Sequence, residues 1–452
     1  MANMKLSSIF CDGMVIQQGM NVPVWGWAKA GQRVYIESDW SCSAVTVASD
    51  TDGKWTVNLT APPAGGPYQL KIKTDDALVV VTDILCGEVW LACGQSNMEM
   101  PLGNISQNNY PGIHNYRQEI ADANYPSIRF FTPAYKKKHM PQTEFDGQWV
   151  QCRPASTKYF SAVAYFFGRH LHQNIKVPIG LINSSFGGSS IEYWMPSDTV
   201  QTYHFPDQPH SFLFDGMIKP LIPYGIRGVI WYQGEENVTN AFKYHELFSA
   251  LIHSWREIWN QGDFPFYFVQ IAPCGNNRYP TMAAAELRQA QLLTYLTVPN
   301  TGIVVTTDLV DDACAPSPND LHPGNKQDVG KRLAMWALAK TYGRNIVYSG
   351  PLYRSLKVEG DKIRLYFEHT DGGLLKSRTG LNGFIISGTN RQFVEAKAVI
   401  DEHSVVVWSE KVSEPVSACF GWDNVPMPSL FNVAGLPASP FCTDDWPDRS
   451  TN

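Results

Sequence analysis

From about residue 86 to residue 346 the chain alternates short apolar runs with amphipathic segments, and this rhythm restricts the fold more than any other feature. "ILCGEVWLAC" and "SIRFFT" are followed by the helix-like "SAVAYFFGRHLHQNI" and then by the strand-like "PIGLINSS". "GVIWYQ" precedes the long amphipathic "NAFKYHELFSALIHSWREIW". "FPFYFVQIA" precedes "AAAELRQAQLLTYL", and "TGIVVTTD" precedes "GNKQDVGKRLAMWALAKTY". A strand that returns parallel to its predecessor needs a crossover, usually a helix, so the repetition predicts an α/β core with a doubly wound parallel sheet.

The flanks read differently. Up to about residue 85, runs such as "VPVWGWA", "QRVYIESDW" and "GKWTVNL" are rich in Val, Ile, Thr and aromatics, with Gly, Pro and Asp52-Gly53 between them. Such punctuation predicts a small sandwich-like β module. After about 347, "KIRLYFEH", "NGFIISG" and "AVIDEHSVVVWS" again lack helical periodicity. The expected organisation is a β-rich module over 1–85, the α/β core over 86–346 and a second β-rich module over 347–452.

Several function classes recede. The net charge of -6 and the absence of a long basic tract argue against nucleic acid or an anionic membrane as the main partner. No window carries the ~20 uninterrupted apolar residues of a membrane span. The start, "MANMKLSSIF", lacks the charged and apolar regions of a signal peptide. The expectation is a cytoplasmic protein, or a periplasmic or secreted one if a targeting peptide has been removed. The nine cysteines are scattered and form no C-x-x-C pair, which disfavours a zinc ribbon or a thioredoxin-type site. His170 and His172 are two apart on a helix and face different ways, and His245-Glu246 lacks the second histidine of H-E-x-x-H. No metal site and no cofactor are expected.

In an open parallel sheet, ligands sit beyond the C-terminal ends of the strands. Four polar clusters follow strand-like runs there: Gly94-Gln95-Ser96-Asn97, Ser184 to Ser190 with Gly187-Gly188, Gln233-Gly234-Glu235-Glu236-Asn237, and Asn319-Asp320-Leu321-His322-Pro323. A serine hydroxyl is a weak nucleophile that needs an adjacent base, and imidazole serves near neutral pH, so Ser96 and His322 form a candidate pair. The oxyanion of acyl transfer needs fixed N–H donors, for which Gly187, Gly188 and the Gln233 amide are candidates. A carboxylate should orient the histidine, and Asp320 is the nearest.

Each cluster also has an ordinary structural reading. Ser96 and Asn97 can cap a helix, the glycine pair can make a turn, Glu235 and Glu236 can sit at a helix N-terminus, and Asp320 can cap a helix starting near Pro323. Their coincidence on one edge favours chemistry. Met98 occupies the last position of G-x-S-x-G, so the α/β-hydrolase elbow is broken.

"GEVWLACGQSNMEMPL", "GLINSSFGGSSIEYWMP", "GVIWYQGEEN" and "DLHPGNKQDVGKRLAMWALA" resemble the sialate O-acetylesterase family of SGNH hydrolases, as do "IFCDGMVIQQGMNVPVWGWAKAGQRV" and "GLPASPFCTDDW". The resemblance implies a flavodoxin-like SGNH-hydrolase core flanked by β-rich modules, and a cofactor-free esterase acting on an O-acetylated sugar or glycan. It implies Ser96 as nucleophile, His322 as base, and an oxyanion hole from the Ser96 N–H, a glycine of the Gly187-Gly188 pair and Gln233. The family's usual D-x-x-H pattern has Asn319 at its first position here, so Asp320, two residues before His322, is the expected acid, with Glu235 or a backbone carbonyl as alternatives. Gln95 and Asn97 are expected to support the loop, and Trp194 to stack on the sugar. A hemicellulose acetylesterase of the same fold, an acetyl transferase and a non-catalytic glycan-binding protein are the rival readings. Oligomeric state is not legible.

Overall fold

A computed structural model describes residues 4–105, 110–134, 144–203, 211–275, 279–310 and 321–444. It is a mixed α/β structure with one large mixed sheet and several smaller β sheets. The chain divides into two compact units. The first holds residues 1–187, 192–230 and 251–266; the second holds 188–191, 231–250 and 267–452.

In the first unit, β1 (Lys5–Leu6), β3 (Asn21–Trp27) and β6 (Lys54–Thr60) pair antiparallel. Between them in sequence lie β2 (Val15–Gln17), β4 (Arg33–Ser38) and β5 (Val45–Ala48). β6 alternates exposed and buried residues throughout, the signature of a strand with one wet face. β7 (Gly65–Lys73) follows and pairs with β8, which runs for 17 residues from Leu78 to Gly94. The boundary expected at 85/86 falls inside β8. Its first half pairs antiparallel with β7, and its second half, Glu88 to Gly94, pairs parallel with β11.

The hand-over is hydrogen-bonded. β2 runs parallel to β8 as far as Gln17↔Gly87. The Gln17 side chain then accepts from the Val89 N–H at 2.8 Å and donates to Glu88 at 3.3 Å. Arg227 grips the same buried carboxylate with bonds of 2.6 and 3.1 Å, a bidentate pair of the strong kind.

β9 (Tyr125–Phe131), β10 (Trp149–Cys152), β11 (Ile179–Ser185) and β12 (Gly228–Tyr232) complete this part of the sheet, in the order β10-β9-β11-β8-β12. β10 is antiparallel to β9, an edge strand that the apolar rhythm does not reveal. β11, β12 and the second half of β8 are buried at every residue, as strands covered on both faces are. Helix Ala162–Ile175 packs on β11 and starts at Ser161, whose hydroxyl accepts from the Ala164 N–H at 3.2 Å.

In the second unit, β13 (Phe266–Val269) lies between β12 and β14 (Thr301–Val304). Helices Ala241–Trp259, Ala283–Thr297 and Lys326–Trp336 occupy the segments where amphipathic periodicity predicts them. The last begins at Lys326 rather than near Pro323, because Asn325 caps it by accepting from the Asp328 N–H at 3.1 Å. The C-terminal residues form two four-stranded antiparallel sheets and a two-stranded one. Cys419 and Cys442, register partners on adjacent strands, form a disulfide that the scattered spacing does not reveal. Among the described residues no helix is long and apolar enough to cross a membrane.

Candidate active site

The first unit carries the serine. β8 ends at Gly94, whose φ of 141° lies in the region that favours glycine, and the chain turns there into α1 (Ser96–Glu99). Main-chain bonds fix the turn: the Met98 and Glu99 N–H groups both reach Gln95 O at 2.9 Å, and the Met100 N–H reaches Ser96 O at 2.8 Å. Gln95, Ser96 and Asn97 are all buried, Ser96 with 8% exposure.

The turn after β11 lies beside the serine. The Phe186 N–H donates to Gly94 O at 3.0 Å, and the Gly187 N–H donates to Glu99 Oε2 at 2.7 Å. A Cβ placed on Gly187 would lie 3.5 Å from Ser96 Cβ and 2.9 Å from Glu99 Oε2. The Tyr110 hydroxyl donates to the same Glu99 oxygen at 3.3 Å. Burial pushes the Glu99 carboxyl above its ordinary range, while the Gly187 and Tyr110 donors pull it back. Burial also raises the Tyr110 phenol, so it stays a donor at physiological pH.

Trp194 is fully buried, and its carbonyl accepts from Trp255 Nε1 at 3.0 Å. The stacking on sugar expected of Trp194 is therefore replaced by a supporting role, because the indole offers no exposed face.

The second unit carries the other candidates. Gly188 has a φ of 65° and open space where a side chain would stand. Gln233 is fully buried: Nε2 donates to Ser189 O at 3.1 Å and to Asn237 Oδ1 at 2.7 Å, and Oε1 accepts from the Tyr244 hydroxyl at 2.8 Å. Both amide hydrogens thus have internal partners. Asn237 Oδ1 also accepts from the Ile191 N–H at 2.9 Å, which fixes the short stretch after the glycine pair. Glu235 is buried in the first turn after Gly234, and its charge is among the causes, after burial, that raise the Tyr232 phenol. Lys326, also buried, places its ammonium 5.5 Å from the centre of the Tyr232 ring.

His322 is half-buried, ahead of the Asn325 cap. Asp320 and Asn319 lie outside the described residues. Arg288, a conceivable partner for a substrate carboxylate, is fully buried and donates to the carbonyls of Ile271, Ala272, Asp423 and Asn424 at 2.9–3.1 Å. It is a structural hub, its pKa lowered by burial to about 10.

Sequence reasoning missed Glu99, Tyr110, Asn237 and Tyr244. Two had a readable signal: Glu99 is three residues after Ser96 and Asn237 four after Gln233, spacings that share a face of a helical turn.

The turn after β8 thus sits beside the turn after β11, and comparison with known proteins says which family this chain belongs to. A family model of carbohydrate esterases, the sialic acid-specific acetylesterases, matches residues 86–338. The chain is 31% identical to the sialate O-acetylesterase of Homo sapiens over 405 residues, covering 79% of this chain and 75% of that one. It is 29% identical to the sialate O-acetylesterase of Mus musculus over 425 residues, covering 78% and 76%. Among solved structures, a carbohydrate acetylesterase from Xanthomonas citri has a TM-score of 0.88 at 38% identity, covering 98% of this chain and 100% of that one. The protein is a carboxylic ester hydrolase. It belongs to the carbohydrate esterase family of sialic acid-specific acetylesterases.

Proposed function

We propose that this enzyme removes O-acetyl groups from carbohydrates through an acetyl-Ser96 intermediate. His322 takes the Ser96 hydroxyl proton as Oγ bonds to the acetyl carbonyl carbon. The carbonyl electrons move to oxygen, and the tetrahedral oxyanion is held by the N–H groups of Ser96 and Gly188. Its collapse breaks the bond to the sugar oxygen, which takes the proton from His322. Water, deprotonated by the same imidazole, then releases acetate and regenerates the serine.

Within the glycine pair we assign the donor to Gly188, because the Gly187 N–H already serves Glu99. Gln233 supplies a third donor by giving up its 3.1 Å bond to Ser189, the longer of its two. Gln95 and Asn97, both buried, support the serine turn. Asp320 is assigned as the acid that orients His322; Asn325 already caps the following helix, so Asp320 is not needed there. The large mixed sheet is read as a doubly wound, flavodoxin-like SGNH core, and the full burial of β11, β12 and the second half of β8 supports that reading. O-acetylated sialic acid is the proposed substrate, on the strength of the family match.

The observation that carries the proposal is the position of Ser96, the first residue of α1 after the buried second half of β8, inside the matched family region. The test is acetate release from an aryl acetate and from acetylated sialic acid and xylan by wild type and Ser96→Ala, with mass spectrometry of acid-quenched enzyme for the acetyl adduct. Turnover surviving in Ser96→Ala sinks the serine mechanism. Release from xylan alone would replace the sialate reading with a hemicellulose one.

A further inference from the structure

Glu99 takes no part in the steps above, yet it is the last residue of α1, the turn that Ser96 opens. Ser96 and Glu99 are three apart in α1 and share one face of it. Consecutive amides of the turn leaving β11 are bonded to the residues on either side of Ser96: Phe186 to the Gly94 carbonyl at 3.0 Å, and Gly187 to the Glu99 carboxyl at 2.7 Å. Tyr110 holds that carboxyl from a third direction at 3.3 Å. An added Cβ at 187 would meet Glu99 Oε2 at 2.9 Å, so that carboxyl would have to shift, while Ser96 Cβ at 3.5 Å and the Tyr110 hydroxyl at 3.6 Å would be in ordinary contact.

A half-buried acid is a poor way to fill space, since burying a polar group is unfavourable unless it is hydrogen-bonded. An apolar side chain of similar length would pack with less cost. What the carboxyl adds is an acceptor with a direction, aimed at one backbone N–H.

We propose that Glu99 is a positioning residue whose carboxyl clamps the Gly187 amide, and through it sets the peptide that carries the Gly188 N–H. With the Phe186 and Gly187 amides both tied, and peptide units planar, only the two dihedrals of Gly187 remain to aim the next N–H. Tyr110 keeps the carboxyl in place. The inference rests on Ser96 as nucleophile and Gly188 as oxyanion donor.

The test uses the full chain in four variants: E99Q, E99L, Y110F and S96A. Each is assayed for kcat and KM on an aryl acetate, for melting temperature, and for affinity toward an aryl boronic acid, a mimic of the tetrahedral intermediate. Gln retains an acceptor oxygen, so E99Q should keep kcat within about threefold. E99L should lose on the order of 10²-fold in kcat with little change in KM, since misplacing a catalytic group by about 1 Å costs that much. Boronate affinity should fall in proportion, because the lost interaction belongs to the transition state. Y110F should lower kcat severalfold.

Wild-type kcat in a folded E99L overturns the clamp, and so does an E99Q as impaired as E99L, which would make charge rather than acceptor geometry the cause. If E99L does not fold, Y110F decides: wild-type kcat there overturns the clamp. Turnover surviving in S96A overturns the serine mechanism and this inference with it. A dead S96A beside an unimpaired E99L overturns the clamp alone.

Discussion

Two turns leave buried strand ends through a glycine with positive φ, and the bonds described at each differ in emphasis. After β8, Gly94 (φ 141°) leads to a turn whose shape the main chain carries, through three N–H bonds to the Gln95 and Ser96 carbonyls. After β12, Gly234 (φ 151°) belongs to a turn held by side chains: Gln233 bonds Ser189, Asn237 and Tyr244, and Gln291 Nε2 reaches the Gln233 carbonyl at 3.2 Å. A turn shaped by its backbone can lend its side chains to chemistry. In a turn shaped by side chains, each polar atom already has structural duty, and any catalytic contact must displace one of them.

The contrast can be broken by substitution. Ser96→Ala should abolish turnover, by about 10⁴-fold or more in kcat, yet leave the melting temperature close to wild type, because the three main-chain bonds to the Gln95 and Ser96 carbonyls survive the substitution. A large fall in stability would refute the backbone-built reading. Gln233→Leu should lower both, turnover through loss of the proposed third oxyanion donor and stability through loss of its internal bonds. It removes the side-chain bonds to Ser189 O, Asn237 Oδ1 and the Tyr244 hydroxyl, each worth about 0.5–1.5 kcal/mol net, so the urea unfolding midpoint should fall. An unchanged midpoint would show that the network is dispensable.

Smaller effects sharpen the first turn. Gly187→Ala must displace the Glu99 carboxyl, so kcat should fall about 10- to 100-fold. Combined with E99L it should be no worse than either change alone, since both remove one contact; additive losses would count against a shared cause. The smallest effect is thermal. The folded Glu99 has a raised pKa, so the neutral acid is favoured in the native state and its stabilising contribution is full below the ordinary glutamate pKa. That contribution is lost as pH rises through the folded value. E99Q does not titrate, so its melting temperature relative to wild type should climb from about pH 4 toward neutrality. A flat difference would mean that burial does not perturb Glu99.

Much of this was legible in the chain, for identifiable reasons. The helices at 162–175, 241–259 and 283–297 announce themselves because one face is buried against the sheet, and periodicity reports burial. Ser96 was legible because a polar triplet after an apolar run marks a strand end. The antiparallel edge strand β10 was not, because four residues are too few to show a period. Trp194 misled for a physical reason: composition shows that a ring exists, whereas its availability depends on burial by residues far away in sequence. Gln233 looked like a free donor because Tyr244, eleven residues on, gives no local sign of reaching back.

The shift in composition near residue 86 is real, but it records a change of surroundings within one strand. β8 alternates exposed and buried residues over its first half and is buried without interruption over its second. The resulting architecture has an evolutionary cost. Domain boundaries usually fall in open linkers with few contacts, and this stretch is instead a ladder-bonded strand with Ser96 two residues past its end. A transplanted N-terminal module would have to bring the outer half of β8 in the same register, since a slip of one residue turns every side chain to the opposite face. The outer half of β8 and the half that ends before Ser96 are one continuous, ladder-bonded strand.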